Sequence, residues 1–238
     1  MLRLWSEAKC GAMRSALVQG DPGIGKSRLV SEALAHAVPD RDSVLIEFHC
    51  SPFHSHEPLF PVLDQLRRSF TPQEPAGPSA LLQALAETSQ ERSDGAQLLV
   101  ALLSGDPDGK FAGLTARGRK ERTFGAIESV LDTISMFRTL LIVVEDLHWA
   151  DPSTIEFFQR FVHNSARRNT LVVFTCRSEA TWQLPDMRFD SIIDVPRLSS
   201  GEVIQLWKRL PATPNFPGAF GPRSRSVPTA FLSTLKNS

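Results

Sequence analysis

The segment Gly20-Asp21-Pro22-Gly23-Ile24-Gly25-Lys26-Ser27 constrains what this chain can fold into more than any other. It follows a short apolar run at 16–19. It opens a stretch, 26–37, in which Leu29, Val30, Ala33 and Leu34 recur on one face at helical spacing. A strand that passes through glycines directly into a helix leaves the first backbone N–H groups of that helix without intrachain partners, and the helix dipole adds partial positive charge at the same place. Glycine lets the backbone curl closely around an anion because no Cβ intervenes. A lysine followed by a hydroxyl at the end of G-x-x-x-x-G-K-[ST] suits a phosphate chain: Lys26 on the β and γ phosphates, Ser27 with its hydroxyl on Mg²⁺. The expected contact set is Gly20, Asp21, Pro22, Gly23, Ile24, Gly25, Lys26, Ser27 and Arg28.

The rest of the chain repeats this alternation. Apolar, β-rich runs at 16–19, 43–48, 139–144, 170–175 and 191–195 predict five strands, and the near-absence of polar residues within several of them points to burial on both faces, as in a parallel sheet covered by helices. Helical periodicity is read at 26–37, at 59–70 (Leu63, Leu66, Phe70), at 123–136 (Phe124, Ile127, Val130, Leu131, Ile134) and at 153–165 (Ile155, Phe158, Val162). Asp151-Pro152 marks the start of the last, an acceptor at the cap and proline at the first position. Residues 70–116 are less regular and predict a helical insertion between the second and third strands. Residues 211–238 carry five prolines, at Pro211, Pro214, Pro217, Pro222 and Pro228, and predict a poorly ordered tail beyond a domain at 1–210.

Two further strand ends carry chemistry. The run Leu140-Leu141-Ile142-Val143-Val144 stops abruptly at Glu145 and Asp146. This strand is expected to run beside the first, so that both carboxylates emerge next to Ser27, Glu145 joining the Mg²⁺ shell and Asp146 orienting or deprotonating an attacking water. The run 171–174 ends in Thr175, Cys176 and Arg177. Thr175 is placed to bond a γ-phosphate or the water, and Arg177 either senses phosphate charge or simply reaches solvent. After the acids, Trp149 is expected to pack on the sheet and His148 to meet the nucleotide or a partner. Cys50, His54 and His56 resemble soft-metal ligands but lack a fourth, so no metal is expected there. The basic run Arg117, Arg119, Lys120 and Arg122 reads as a solvated stretch ahead of a helix.

Charge narrows the classes of partner. Lysine plus arginine and aspartate plus glutamate stand at 26 each, so no net field draws the chain to nucleic acid or to an anionic membrane. Three widely spaced cysteines give neither a disulfide framework nor a zinc module, which favours a reducing cytoplasm. The first twenty residues contain Glu7, Lys9 and Arg14 and hold no leader-like apolar core.

Taken together these motifs resemble the nucleotide-binding module of the STAND signal-transduction ATPases, most closely the AAA-like domains joined to class III adenylate cyclases and to some large bacterial transcriptional regulators. Residues 20–30 are similar to that family's G-x-x-G-I-G-K-S-R-L-V, Cys50-Ser51-Pro52-Phe53-His54 to its C-S-P-Y-H, and Arg119-Lys120-Glu121-Arg122-Thr123-Phe124 to its R-K-E-R-T-F. Residues 145–152 match its E-D-L-H-W-A-D-P. The resemblance spans about residues 2–210. It implies an α/β P-loop NTPase fold with a five-stranded parallel sheet of order 5-1-4-3-2, ATP before GTP as ligand, and a nucleotide state coupled to assembly or to an attached output domain. Family members also carry an upstream base-clasping segment, a helical lid and a winged helix with no counterpart here, and the expectation is a truncated copy.

The function expected is therefore ATP and Mg²⁺ binding with slow hydrolysis, in a regulatory switch that associates with itself or with a protein partner. The alternative from another class is a nucleotide-dependent interaction module, or an inactive remnant, that binds ATP without turnover.

Overall fold

Five runs of apolar residues become strands because the backbone of each finds partners on neighbouring strands while helices cover both faces. The computed structural model describes residues 1–35, 42–70, 103, 113–164, 168–183 and 187–197. Their elements, in chain order, are α1 (Leu2–Lys9), β1 (Met13–Gly20), α2 (Lys26–Ala35), β2 (Ser43–His49), α3 (Phe60–Phe70), α4 (Ala116–Phe137), β3 (Thr139–Glu145), α5 (Pro152–His163), β4 (Thr170–Cys176) and β5 (Ser191–Val195), with short 3-10 turns at Pro52–His54, Leu147–Trp149 and Ser178–Gln183. The compact unit spans Met1–Val195. Most of the expected insertion at 70–116 and all of the tail at 211–238 lie outside the described residues.

The sheet is parallel throughout, with strand order β2-β3-β4-β1-β5, the expected 5-1-4-3-2 read from the other edge. One expectation about neighbours is overturned. β3 does not run beside β1: β4 lies between them, paired with β1 from Met13↔Thr170 to Gln19↔Cys176 and with β3 from Leu140↔Thr170 to Val144↔Phe174. With strands about 4.8 Å apart, the end of β3 is displaced about 10 Å from the end of β1.

Strand alternation divides the core in two. Leu17, Ile46, Phe48, Leu140, Ile142, Val144, Val172 and Phe174 face α3, α4 and α5. Ala16, Val18, Leu141, Val143, Leu171 and Val173 face α1 and α2. On the first side Phe157 packs on Phe158 with ring centroids 5.2 Å apart, and Phe158 on Phe174 at 5.6 Å. Each such fully buried ring contributes on the order of 2–3 kcal/mol by leaving water. The second side includes a helix that the sequence reading missed: α1 buries Leu4, Trp5 and Ala8.

Three details of helix phase also differ. In α2, Val30 and Leu34 are buried but Leu29 is 42% exposed. In α5 the deepest row is Thr154, Phe157, Phe158 and Phe161, with Ile155 and Val162 only partly buried. The basic run at 117–122 lies inside α4, whose cap is Thr115, and ties that helix to α5: Lys120 reaches Glu156 at 2.7 Å, and Arg160 of α5 reaches back to Glu121.

Asp151 is the polar hinge of this side. It is 2% exposed; its Oδ1 accepts from the N–H groups of Ser153 (2.8 Å) and Thr154 (3.1 Å), and its Oδ2 accepts from the Thr154 hydroxyl and from Leu59 N–H (3.1 Å). One carboxylate thus caps α5 and holds the entry to α3, where Leu59 has a φ of +58°. Asp151→Ala removes a cap worth about 0.5–2 kcal/mol and strands the buried Leu59 N–H at about 1–3 kcal/mol. The expected loss is about 3 kcal/mol, which for a domain of this size lowers Tm by roughly 6–12 °C. A thermal melt unchanged within about 2 °C would show that the carboxylate is dispensable.

Candidate functional site

The loop between β1 and α2 is shaped by two kinds of glycine constraint. Gly23 and Gly25 have φ values of +71° and +99°, and a Cβ added at Gly25 would meet nothing within 4 Å. The backbone there bends in a conformation that L side chains avoid and encloses open space. Gly20 is required for the opposite reason: a Cβ on it would sit 2.9 Å from the Val195 carbonyl oxygen of β5. The loop closes into α2 through Leu29 N–H donating to Gly25 O at 2.9 Å.

Lys26 lies within this loop. The residue is 7% exposed, and its Nζ donates to the carbonyl oxygens of Gly20 and Asp21, both at 2.9 Å. Among the described residues its hydrogen bonds go to neutral carbonyls, which leave its charge uncompensated, and anionic phosphate oxygens would supply that compensation. Ser27 and Arg28, in the first turn of α2, are exposed. An open cradle, a buried cation and an exposed hydroxyl fit a triphosphate.

Glu145 ends β3 on the sheet face toward α2, in line with Leu141 and Val143. Its side chain is 20% exposed and pairs with His49 Nδ1 at 3.1 Å across the β2–β3 register. Asp146 follows in the left-handed region (φ +54°, ψ +46°), a conformation that aspartate tolerates and that turns the chain sharply away from the sheet. Its carboxylate is half exposed. Its backbone N–H donates to Thr175 Oγ1 at 2.9 Å. This gives Thr175 a task that the sequence reading did not foresee: the residue is fully buried on β4, and its hydroxyl oxygen fixes the turn that carries Asp146. β4 is thus the strut between the phosphate loop and the acids.

Arg177 follows β4 and is 34% exposed; its guanidinium lies over the Trp149 ring at 5.4 Å and 3.9 Å from Glu179. Trp149 packs against the larger core cluster, as expected. His148, between Asp146 and Trp149, is pushed below its ordinary pKa by burial first; the Asp146 charge opposes this, and the charges of Arg177 and Lys26 act with it. Lys26, Asp146, His148 and Arg177 therefore share one neighbourhood at the C-terminal ends of the strands, where open α/β sheets bind ligands.

The second cluster considered in the sequence does not converge in this way. His54 stacks on Phe60 with centroids 3.6 Å apart and pairs with Glu57 at 2.8 Å. Cys50 is buried and its thiol is pushed up to about 12, by burial first and then by the charges of Asp151 and Asp146. Burial likewise pushes up Cys176. Since the thiolate is the nucleophile, iodoacetamide at pH 8 is expected to alkylate exposed Cys10 while sparing Cys50 and Cys176 until denaturant is added. Mass spectrometry showing all three modified at equal rates would contradict this packing. Among the described residues no group of three or more His, Cys, Asp or Glu is disposed to hold a metal. No helix among them is long and apolar enough to cross a membrane.

Comparison with known proteins decides the family. The profile described as the AAA ATPase domain matches residues 1–173. The chain belongs to this family. Its P-loop ATPase domain is 27% identical over 178 residues to an uncharacterized protein of Rhizobium meliloti (strain 1021), a match that covers 74% of this chain and 17% of that protein. The chain thus spans 17% of the length of this curated relative. Among solved structures, the AAA domain is similar to the crystal structure of Cdc6p from Pyrobaculum aerophilum, with a TM-score of 0.53 and 12% identity over 87% of this chain and 46% of that one. At that identity the likeness speaks for the fold alone.

Proposed function

We propose that this AAA ATPase domain binds ATP with Mg²⁺, hydrolyses it slowly, and serves as the nucleotide switch of a STAND-type signalling ATPase in the cytoplasm, with residues 1–210 as the ATPase domain and 211–238 as its tail. The observation that carries the reading is the buried Lys26 ammonium inside a loop bent open by Gly23 and Gly25. The loop's N–H groups would meet the phosphates, Lys26 would turn to them from the Gly20 and Asp21 carbonyls, and Ser27 with Glu145 would hold the metal. When bound, Mg²⁺ neutralises charge on the β and γ phosphates. Glu145 must then leave His49. Asp146, braced by Thr175, orients the water, and Arg177 is the nearby cation that meets charge developing on the γ-phosphate.

Titration with fluorescent ATP and GTP analogues, with and without Mg²⁺, tests this directly. Saturable binding that needs Mg²⁺ and favours the adenine analogue is expected. No binding of either analogue would refute the reading, and binding of labelled ATP that stays intact in a single-turnover experiment would reduce the domain to a binding module.

A further inference from the structure

The strands β4, β1 and β5 lie side by side, and the phosphate loop leaves the C-terminal end of β1. Around the opposite ends of these strands is a hollow of about 490 Å³, lined by Ser15 of β1, by Val162 of α5, and by Arg168, Arg188 and Phe189, which lead into β4 and β5. Sites for small organic ligands run to about 300–1,000 Å³. The eight residues of β1, at about 3.3 Å each, set this hollow about 20 Å or more from the loop. Part of its wall is apolar: Val162 and Phe189 pack against the larger core cluster, and Phe189 meets Phe174 edge-on at 5.6 Å.

The charge on the wall is unbalanced. Among the described residues that line it, Asp190 is the one carboxylate, and its Oδ2 already accepts from the Ser15 N–H at 2.7 Å and from the Ser15 hydroxyl at 3.1 Å. Arg14, also on the wall, is committed to Glu7 and to the Met13 carbonyl. The guanidiniums of Arg168 and Arg188 have neither an ion pair nor a hydrogen bond among the described residues. Both stand on pinned backbone. The Arg168 carbonyl accepts from Thr170 Oγ1 at 2.8 Å, and Asn169, left-handed at a φ of +49°, donates its amide to Ser135 O at 3.0 Å. The Arg188 carbonyl accepts from Ser15 Oγ at 3.4 Å, and Asp190 N–H donates to Ser15 O at 3.0 Å. Both arginines are exposed and belong to neither apolar cluster, so the packing of the sheet does not account for them. Two like charges at one hollow repel, and an anion between them reverses the sign of that interaction. The planar fork of each guanidinium matches the oxygens of a carboxylate or a phosphate.

We propose that this hollow is a second ligand site, which takes a small organic anion with its carboxylate or phosphate between Arg168 and Arg188 and its apolar part against Val162 and Phe189. The chain carries 26 basic and 26 acidic residues, so a local pair of cations, not a net field, holds the ligand. An extended polyanion such as duplex DNA gains by spreading its phosphates over many cations. Two free guanidiniums beside an apolar wall suit a compact ligand instead. The inference does not rest on the nucleotide reading, since the hollow shares no residue with the phosphate loop or with the acids after β3.

Calorimetric titration of the full chain with phenyl phosphate and, separately, with phthalate tests this at low ionic strength, where charge contacts are least screened. Saturable binding of at least one probe is expected with Kd below about 1 mM, and the tighter of the two shows which acid group the site prefers. Arg168→Gln and Arg188→Gln are each expected to weaken binding at least about tenfold, through loss of hydrogen bonds between charged groups. Both positions are exposed, so thermal melts of these variants should match the wild type. Lys26→Ala is expected to leave probe binding unchanged. No saturable binding of either probe overturns the proposal, and so does binding undiminished in either glutamine variant. Probe binding that disappears in Lys26→Ala overturns it too, by placing the anion in the phosphate loop. A short labelled DNA duplex supplies the last arm: duplex binding that falls with the two glutamine substitutions, while neither small probe binds, would make this face a nucleic-acid surface. Binding of the fluorescent ATP analogue is followed in parallel, so failure of the nucleotide reading and failure of this one are told apart.

Discussion

Lys26→Ala is expected to lower ATP affinity by at least about 100-fold while the protein remains folded. In the loop the ammonium donates to two carbonyls that belong to the loop itself, and Lys26 is in neither apolar cluster that joins the sheet to its helices. Its removal therefore leaves the strands and their packing in place. Phosphate binding is affected far more. Hydrogen bonds to charged partners are worth about 1.5–3 kcal/mol each, and one ammonium engages more than one phosphate oxygen. Two such bonds correspond to about 100-fold or more in Kd, since 1.4 kcal/mol is a factor of ten. Lys26→Arg should restore little, because the planar fork does not fit where a point charge is enclosed. Titration with a fluorescent ATP analogue, alongside a thermal melt, checks both halves. Unchanged affinity in a folded Lys26→Ala protein would remove the phosphate site from this loop.

The parts of this site legible in the sequence are those whose physics is local. Strands buried on both faces leave continuous apolar runs, and each of the five runs lies within an observed strand, four of them to within a residue; β1 begins at Met13, three residues before its run at 16–19. The phosphate loop is local too, since glycine, lysine and hydroxyl act within eight residues. Which strands lie side by side is not local. A strand's own residues do not say whether β4 or β1 is its neighbour, and the inference that β3 flanks β1 failed there, while the strand order came from resemblance to a family. α1 is not legible because eight residues are too few to establish a helical period, although Leu4, Trp5 and Ala8 share a face. Leu29 was placed one step off the buried face because a run of apolar residues widens the stripe. Most informative are the contacts that join distant residues. Asp151 reads as a cap and is one, but its further bond to Leu59 N–H spans 92 positions and leaves no trace in the sequence. Thr175 reads as a ligand of the γ-phosphate or the water, and its hydroxyl also accepts from a backbone N–H that only the order of β3 and β4 brings to it.

The same brace sets up the second large effect, a loss of about 10² to 10⁴ in single-turnover hydrolysis on Asp146→Asn, the range that a positioned acid or base contributes. Glu145 ends β3 and Asp146 follows it, and the proposed mechanism gives them different work. Glu145 points along the sheet face toward α2, paired with His49, as would suit a ligand of the metal proposed at Ser27. Asp146 is turned out of the sheet by its left-handed backbone, locked there by Thr175, with His148 beside it. Asparagine keeps the shape, the backbone bond and tolerance of that conformation, so ATP affinity should stay within about threefold, well under 1 kcal/mol. What it loses is the anionic acceptor for a proton of the attacking water. Even the wild type should be slow. An arginine supplied at the transition state is worth about 10³ to 10⁵ in related phosphoryl transfer, whereas Arg177 rests on the Trp149 ring near Glu179. Turnover below about 1 s⁻¹, under the usual enzyme range, is therefore expected of the wild type. Asp146→Asn retaining hydrolysis within about tenfold of wild type would take the water away from Asp146, leaving general-base catalysis to another group.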